Sequence, residues 1–231
     1  MKVLILAGGF GTRLSEYTDT IPKPMIPIGG KPIIEHIMSI YSRYGFKEFV
    51  VALGYKGEII REYFERAKND FQIELVDTGS ETLTGGRIKK LKKYFTETFS
   101  ITYGDGVSDV NIKQLLKFHK EHKKYLTVTA VRPPARFGYL SLDKDTVINF
   151  SEKVDKGENW INGGFFIANP KIFDFIKDDK TIFEKEPLEK ISKLGELKAF
   201  KHEGFWQCMD HKIDKIKLDE LCHKNKAPWI K

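Results

Sequence analysis

Two cysteines, Cys208 and Cys222, are all that the 231 residues contain. They are too few and too late in the chain for a disulfide framework, and their spacing matches no zinc pattern. Long apolar runs are missing as well, since none approaches the roughly 18 residues of a membrane helix. Met1-Lys2 leads directly into an apolar stretch that reads as a core strand rather than a signal peptide. A reducing cytoplasm and no membrane partner are therefore expected. The two commonest phosphate loops are also lacking. After Gly9-Phe10-Gly11 the dinucleotide fingerprint needs a third glycine, but Thr12, Arg13 and Leu14 follow. The next strand, Phe49 to Leu53, ends in Gly54-Tyr55-Lys56, with no acid to hold a ribose. Gly30-Lys31-Pro32 fails the Gly-Lys-Ser/Thr ending of the ATPase loop.

What is present is ample for a folded domain. Apolar residues make up 41% of the chain, 17 of them Phe, which excludes disorder. Lys and Arg number 39 against 32 Asp and Glu, a net charge of +7 that suits either nucleic acid or a small polyanion. In Lys89-Lys90-Leu91-Lys92-Lys93 and from Lys117 to Lys124 the lysines alternate with apolar positions, as on solvated helix surface. No nucleic-acid partner is expected.

Val3 to Ala7 reads as a short strand buried on both faces. Helical spacing of Ile33, Ile34, Ile37, Met38, Tyr41 and Tyr44 follows, stopped by Gly45. Strands are expected at Phe49–Leu53, Ile73–Val76 and Phe99–Tyr103, and helices from Ile59 to Ala67, Gly86 to Phe95 and Asn111 to His122. This alternation, continuing to about Val131, implies right-handed crossovers and an open parallel sheet, with ligands beyond the carboxyl ends of its strands. Arg132-Pro133-Pro134 breaks the pattern. A hairpin turning at Asp143-Lys144-Asp145 is expected next, then a strand from Asn162 to Ala168, helices at Lys171–Lys177 and Glu184–Leu194, a strand at Leu197–Lys201 and a closing helix from His211 to about Asn225. The whole, residues 1–231, reads as one domain, with a change of texture between 1–131 and 132–231.

Gly8, Gly9 and Gly11 can turn the chain sharply after the first strand and point backbone N–H groups at an anion. Arg13 and Lys23 bring full charges to the same place, so an oligophosphate is the natural occupant. Asp105, between two glycines at a strand end, suits a hard cation or an ordinary Asp-Gly turn. Asp210 alone reads as the N-cap of the closing helix, with His211 at its first position. Thr82 and Thr84-Gly85-Gly86-Arg87 could read a base through Arg87 and exposed loop backbone, or Thr84 could simply cap a helix.

The ordered series Leu6-Ala7-Gly8-Gly9-Phe10-Gly11-Thr12-Arg13-Leu14, Pro22-Lys23-Pro24-Met25, Val76-Asp77-Thr78-Gly79, Thr84-Gly85-Gly86-Arg87, Thr102-Tyr103-Gly104-Asp105-Gly106, Arg136-Phe137-Gly138, Ile161-Asn162-Gly163-Gly164-Phe165-Phe166, Phe205-Trp206-Gln207, Met209-Asp210 and Ala227-Pro228-Trp229 resembles the sugar-phosphate nucleotidyltransferases, in particular their cytidylyl branch. The resemblance implies an α/β fold: a Rossmann-like, mixed but mostly parallel sheet flanked by helices, of the glycosyltransferase-A-like type, with a small acceptor-binding lobe. It implies Mg²⁺-dependent transfer of CMP from CTP to a sugar 1-phosphate, glucose 1-phosphate foremost, with pyrophosphate released and the product feeding polysaccharide or unusual-sugar synthesis. Another phosphorylated acceptor, or a nucleotide-binding regulatory module without turnover, is the alternative.

Carried over residue by residue, the resemblance makes Arg13, Lys23 and Asp105 catalytic, and Asp105 and Asp210 the Mg²⁺ ligands. Nucleotide binding falls to Leu6, Ala7, Gly8, Gly9, Gly11, Thr12, Arg13, Lys23, Thr82, Arg87 and Gly104. The acceptor falls to Gly138, Glu152, Lys153, Asn162 and Gly163, with Tyr139 and Trp206 nearby. The chain departs from the branch in a shortened segment before Val76, Arg66 to Gln72, where a longer polar insertion contributes to subunit contacts. Cys208 and His211 stand where Pro and Thr are usual. A homo-oligomer is compatible with the resemblance.

Overall fold

The computed structural model describes residues 1–133, 138–152 and 159–230. Seven strands form its main sheet: β1 (Val3–Leu6), β2 (Glu48–Leu53), β3 (Gln72–Asp77), β4 (Phe99–Tyr103), β5 (Leu126–Val131), β6 (Ile161–Ala168) and β7 (Leu197–His202). Their spatial order is β7-β5-β6-β4-β1-β2-β3. β1 is parallel to both β2 and β4, β2 to β3, and β5 to β7; only β6 runs antiparallel to its neighbours. The expected mixed, mostly parallel sheet is what forms.

Burial on both faces explains the strand composition. Val3 and Ile5 face a core built with Ile33, Ile34, Ile37, Met38 and Tyr41 of α1 (Ile33–Ser42). Leu4 and Leu6 face a second core with Ile88, Leu91, Phe95, Phe173 and Phe183. Around the sheet lie α2 (Gly57–Arg66), α3 (Thr84–Lys90), α4 (Ile112–His122), α5 (Glu186–Lys193) and α6 (Lys212–His223). Asn111 caps α4, its side chain accepting the Gln114 N–H at 3.0 Å.

Three departures from expectation have physical causes. The parallel run does not continue unbroken to Val131, because β6 lies between β4 and β5. Phe165 and Ile167 enter one core while Phe166 and Ala168 enter the other, so β6 must be central. The helix expected over Gly86–Phe95 stops at Lys90 and continues as a 3-10 turn, Lys92–Tyr94, between buried Leu91 and Phe95. In place of a helix at Lys171–Lys177, a 3-10 segment, Pro170–Phe175, starts where the Asn169 side chain accepts the Lys171 N–H at 2.9 Å. Phe173 there stacks on Phe99, ring centroids 5.6 Å apart.

The expected hairpin forms its own two-stranded sheet, Tyr139–Asp143 with Thr146–Ser151, turning through Lys144 at φ 53°. Leu140, Leu142, Val147, Ile148 and Phe150 on it are all exposed. Among the described residues no helix is long and apolar enough to cross a membrane.

α4 also introduces a pH-sensitive pair. His119 and His122 each lie within hydrogen-bond distance of the Thr127 hydroxyl, at 2.8 and 2.7 Å. Burial, with His122 beside it, lowers the His119 pKa from 6.5 to about 4. The neutral ring is thus favoured by folding, and the stability it contributes is complete above pH 6.5 and lost progressively toward pH 4. Between pH 7.5 and 5 the wild type is expected to lose on the order of 1–2 kcal/mol more unfolding free energy than His119→Gln, measured by urea denaturation. Equal losses would remove His119 from the account.

Candidate functional site

The carboxyl ends of β1, β3 and β4 open on one cavity of about 360 Å³. All residues assigned to the nucleotide from sequence line it: Leu6, Ala7, Gly8, Gly9, Gly11, Thr12, Arg13, Lys23, Thr82, Arg87 and Gly104, together with Asp105. Ala7 N–H donates to Ala52 C=O at 3.1 Å and Gly104 N–H to Leu6 C=O at 3.0 Å, so the sheet ladder runs to the edge of the cavity and then stops. Gly11 sits at φ 66°, a left-handed conformation that turns the loop into a short 3-10 segment, Thr12–Leu14. Among the described residues, the Gly9, Phe10 and Gly11 N–H groups find no acceptor in the protein. Bare amides of this kind suit phosphate oxygens.

Opposite charges alternate across the cavity mouth. The Lys23 ammonium donates to Asp105 Oδ2 at 2.6 Å and to Asp210 Oδ1 at 2.8 Å. Arg13 Nη1 donates to the other Asp210 oxygen at 2.9 Å. Asp105 and Asp210, far apart in sequence, therefore meet on one nitrogen atom. Burial alone would lower the Lys23 pKa, but the Asp105 and Asp210 carboxylates outweigh it and raise it above the ordinary lysine value. Burial opposes ionisation of Asp210, yet Lys23 and Arg13 prevail and hold its carboxyl below the usual range.

Asp210 does not cap α6, as it was expected to. His211 is the N-cap, and Asp214 Oδ2 accepts both the Asp210 and His211 N–H groups, at 3.1 and 2.8 Å. The capping work falls to Asp214, leaving the Asp210 side chain to turn toward Lys23. Cys208 Sγ lies 3.6 Å from Asp210 Oδ2. Burial, with Asp210 and Asp105 alongside, pushes this thiol up to about 12, so it stays protonated at neutral pH.

Two carboxylates converging on a cation position form a hard, oxygen-only donor pair. No group of three or more His, Cys, Asp or Glu able to hold a metal occurs among the described residues. A pair fits an ion that draws its remaining oxygens from water and substrate phosphates, as Mg²⁺ does.

Arg87 stands on the cavity wall with its donors turned inward to the protein. Its Nη1 reaches Leu53 C=O, Thr78 Oγ1 and Gly79 C=O at 2.9, 2.6 and 2.8 Å; its Nη2 reaches Gly8 C=O and Ser80 C=O at 2.8 and 3.1 Å. A Cβ on Gly8 would fall 2.2 Å from Nη1, so only glycine admits this contact. The guanidinium joins the first glycine loop to the segment after β3. Thr82 donates to Thr78 C=O at 2.6 Å and is likewise engaged. Thr84 is the first residue of α3, not its cap, and its hydroxyl donates to Glu184 at 2.6 Å.

The acceptor residues expected from sequence separate into two places. Asn162 donates to the hydroxyl of Tyr103, itself on the cavity wall, at 3.1 Å. Gly163 C=O accepts the Trp206 indole N–H at 2.7 Å. Gly138 and Glu152 lie together near the hairpin, a Cβ on Gly138 falling 3.0 Å from Glu152 Oε2, and neither lines the cavity. Lys153 lies outside the described residues. Sequence reasoning missed Ser80, Glu81 and Leu83 of the lining, and Glu184 beyond it. Glu184 carries no local signal; its partner Thr84 is 100 residues away.

The carboxyl end of a mostly parallel sheet thus gathers a glycine loop, two basic groups and two convergent acids, a set suited to a polyphosphate and a hard cation. Residues 2–207 match the nucleotidyl transferase family, and the chain belongs to it. Among its relatives, glucose-1-phosphate cytidylyltransferase of Salmonella typhi is 47% identical over 253 residues, covering 99% of this chain and 98% of the relative. The probable glucose-1-phosphate cytidylyltransferase of Bacillus subtilis is 41% identical, covering 99% of each. Among solved structures, HddC from Yersinia pseudotuberculosis superposes with a TM-score of 0.77 at 30% identity, over 97% of this chain and 99% of that one.

Proposed function

We propose that the protein is a Mg²⁺-dependent cytidylyltransferase that transfers CMP from CTP to glucose 1-phosphate, releasing pyrophosphate. The observation that carries this reading is the meeting of Asp105 and Asp210 on the Lys23 ammonium, beside a glycine loop of unpaired amides. The choice of CTP and glucose 1-phosphate is supported by the cytidylyltransferase relatives, which align along nearly the whole chain.

A sugar phosphate is already an ionised nucleophile at neutral pH, so no Ser, Cys or His is needed to activate it. One of its phosphate oxygens attacks the α-phosphorus, and the bond from that phosphorus to the leaving pyrophosphate breaks. The chain's work is alignment and charge compensation. Arg13 and the Gly9–Gly11 amides hold the triphosphate, and Lys23 neutralises charge between the α-phosphate and the incoming phosphate. Arg87 keeps the Gly8 and Ser80 backbones in place, so that loop backbone at residues 80–84 meets the base. Asp105 and Asp210 would hold Mg²⁺, which supplies Lewis-acid neutralisation of phosphate oxygens when bound. Asn162 and Gly163 receive the acceptor, joined by Gly138 and Glu152 from the hairpin side, and Lys153 is assigned to the same substrate. The protein works as a single nucleotidyltransferase domain in the cytoplasm. A homo-oligomer is supported by the five exposed apolar side chains of the hairpin, since a lone two-stranded sheet is only marginally stable.

A pyrophosphate-release panel crossing four nucleoside triphosphates with sugar and non-sugar phosphates tests the reading. CTP with glucose 1-phosphate is expected to give the highest kcat/KM. Preference for another nucleotide would refute the cytidylyl assignment, and preference for another phosphate would replace the acceptor alone. Saturable CTP binding without turnover on any acceptor would favour a regulatory module.

A further inference from the structure

At the mouth of the cavity the direction of each hydrogen bond is dictated by one exposed carboxylate. Glu184 Oε1 accepts the Tyr103 hydroxyl proton at 2.6 Å, and Oε2 accepts that of Thr84 at 2.6 Å. An ionised carboxylate can only accept, so the Tyr103 phenol must act as donor toward Glu184. Its oxygen is then left to accept, and Asn162 Nδ2 donates to it at 3.1 Å. The other end of that amide is fixed too, because Asn162 Oδ1 accepts the Gly164 N–H at 2.8 Å. The orientation of Asn162 is thereby determined, with one N–H on Nδ2 remaining for an outside acceptor.

Packing holds the relay in register. The Tyr103 ring meets Phe166 edge-on at 5.9 Å, and at Gly164, φ 77°, a Cβ would fall 2.6 Å from the ring. Thr84 is anchored from the other side, its hydroxyl accepting the Phe183 N–H at 2.9 Å. Burial and the neighbouring Glu184 carboxylate both raise the Tyr103 pKa, so the phenol keeps its proton at physiological pH.

We infer that Glu184 and Tyr103 are positioning residues for the acceptor substrate, acting by orienting the Asn162 amide so that its remaining N–H meets an acceptor oxygen. This rests on the acceptor role proposed above for Asn162. Neither Glu184 nor Tyr103 is required to touch the reacting phosphates. Their influence falls on acceptor affinity, while the Lys23 and aspartate cluster governs the chemical step.

The test is steady-state kinetics of Tyr103→Phe and Glu184→Gln, each made in the wild type and in Asn162→Ala, using whichever acceptor the panel identifies as preferred. In the wild-type background each substitution is expected to raise acceptor KM about five- to tenfold, with kcat and the KM for CTP within about twofold, the size expected for one hydrogen bond. In Asn162→Ala the same substitutions should leave acceptor KM within about twofold, since the group they orient is gone. An unchanged acceptor KM in the wild-type background, or an equal rise in both, would overturn the inference. Tyr103→Phe keeps the ring and its packing, so it decides the matter even where Glu184→Gln fails to fold. Failure of the proposed function is distinguishable: the wild type then prefers another acceptor or nucleotide in the panel, and the relay is still read on that substrate pair.

Discussion

Asp105→Asn and Asp210→Asn are each expected to lower kcat for pyrophosphate release by about a thousandfold or more. Each change removes one negative oxygen pair from around Lys23, whose nitrogen now lies 2.6 and 2.8 Å from the two carboxylates. It also halves the carboxylate set available to a cation. Loss of one preorganised electrostatic contact at a developing charge costs about 3–4 kcal/mol, and here cation and ammonium placement are disturbed together. Asparagine conserves volume and can still bond to Lys23, so the fold should persist, with circular dichroism unchanged. Near-normal turnover in both variants would remove the two acids from the chemistry.

The second large effect is expected at Arg87. Its guanidinium is almost wholly buried and bonded to four carbonyls and the Thr78 hydroxyl, drawn from β2, the first glycine loop and the segment after β3. Arg87→Ala leaves these acceptors facing a cavity, a loss on the order of 3 kcal/mol in unfolding free energy. The KM for CTP should rise at least tenfold, because Gly8 and Ser80 lose their common anchor. Arg87→Lys should recover little, since one ammonium cannot span the fork of five acceptors. Urea denaturation and CTP saturation curves give both readouts; wild-type values for Arg87→Ala in either would contradict the bracing role.

The glycine-loop side of the candidate site was legible in the sequence as a place where residues gather, because its signals are local. Gly8 to Arg13 combine backbone freedom and charge within six residues, and Pro22-Lys23-Pro24 follows closely. All of them except Pro22 line one cavity. The part that local reasoning could not supply depends on contacts between distant segments. Asp210 beside His211 looks like a helix cap until Asp214, four residues on, takes the exposed N–H groups. Arg87 after two glycines looks like a base reader, and its engagement with Leu53 and Gly8 is visible only once three strands are assembled. Glu184 sits 81 residues from Tyr103 and 100 from Thr84.

The sheet divides in the same manner. Val3 to Leu6 and Phe49 to Leu53 announce buried strands by unbroken apolar runs, and both have a neighbouring strand on each side. The placement of β6 between β4 and β5 follows a long excursion through the hairpin, which no short window of sequence contains. Its own run from Phe165 to Ala168 does require two buried faces, and that requirement is met by a central position.

One titration bears most directly on the convergence of Asp105 and Asp210. Binding of Mn²⁺, a spectroscopic stand-in for Mg²⁺, can be followed by electron paramagnetic resonance with CTP present, for the wild type and both asparagine variants. One CTP-dependent ion per chain is expected in the wild type, with its affinity lowered at least tenfold in Asp105→Asn and in Asp210→Asn alike. Wild-type ion affinity in either variant would mean that the two acids do not share a cation.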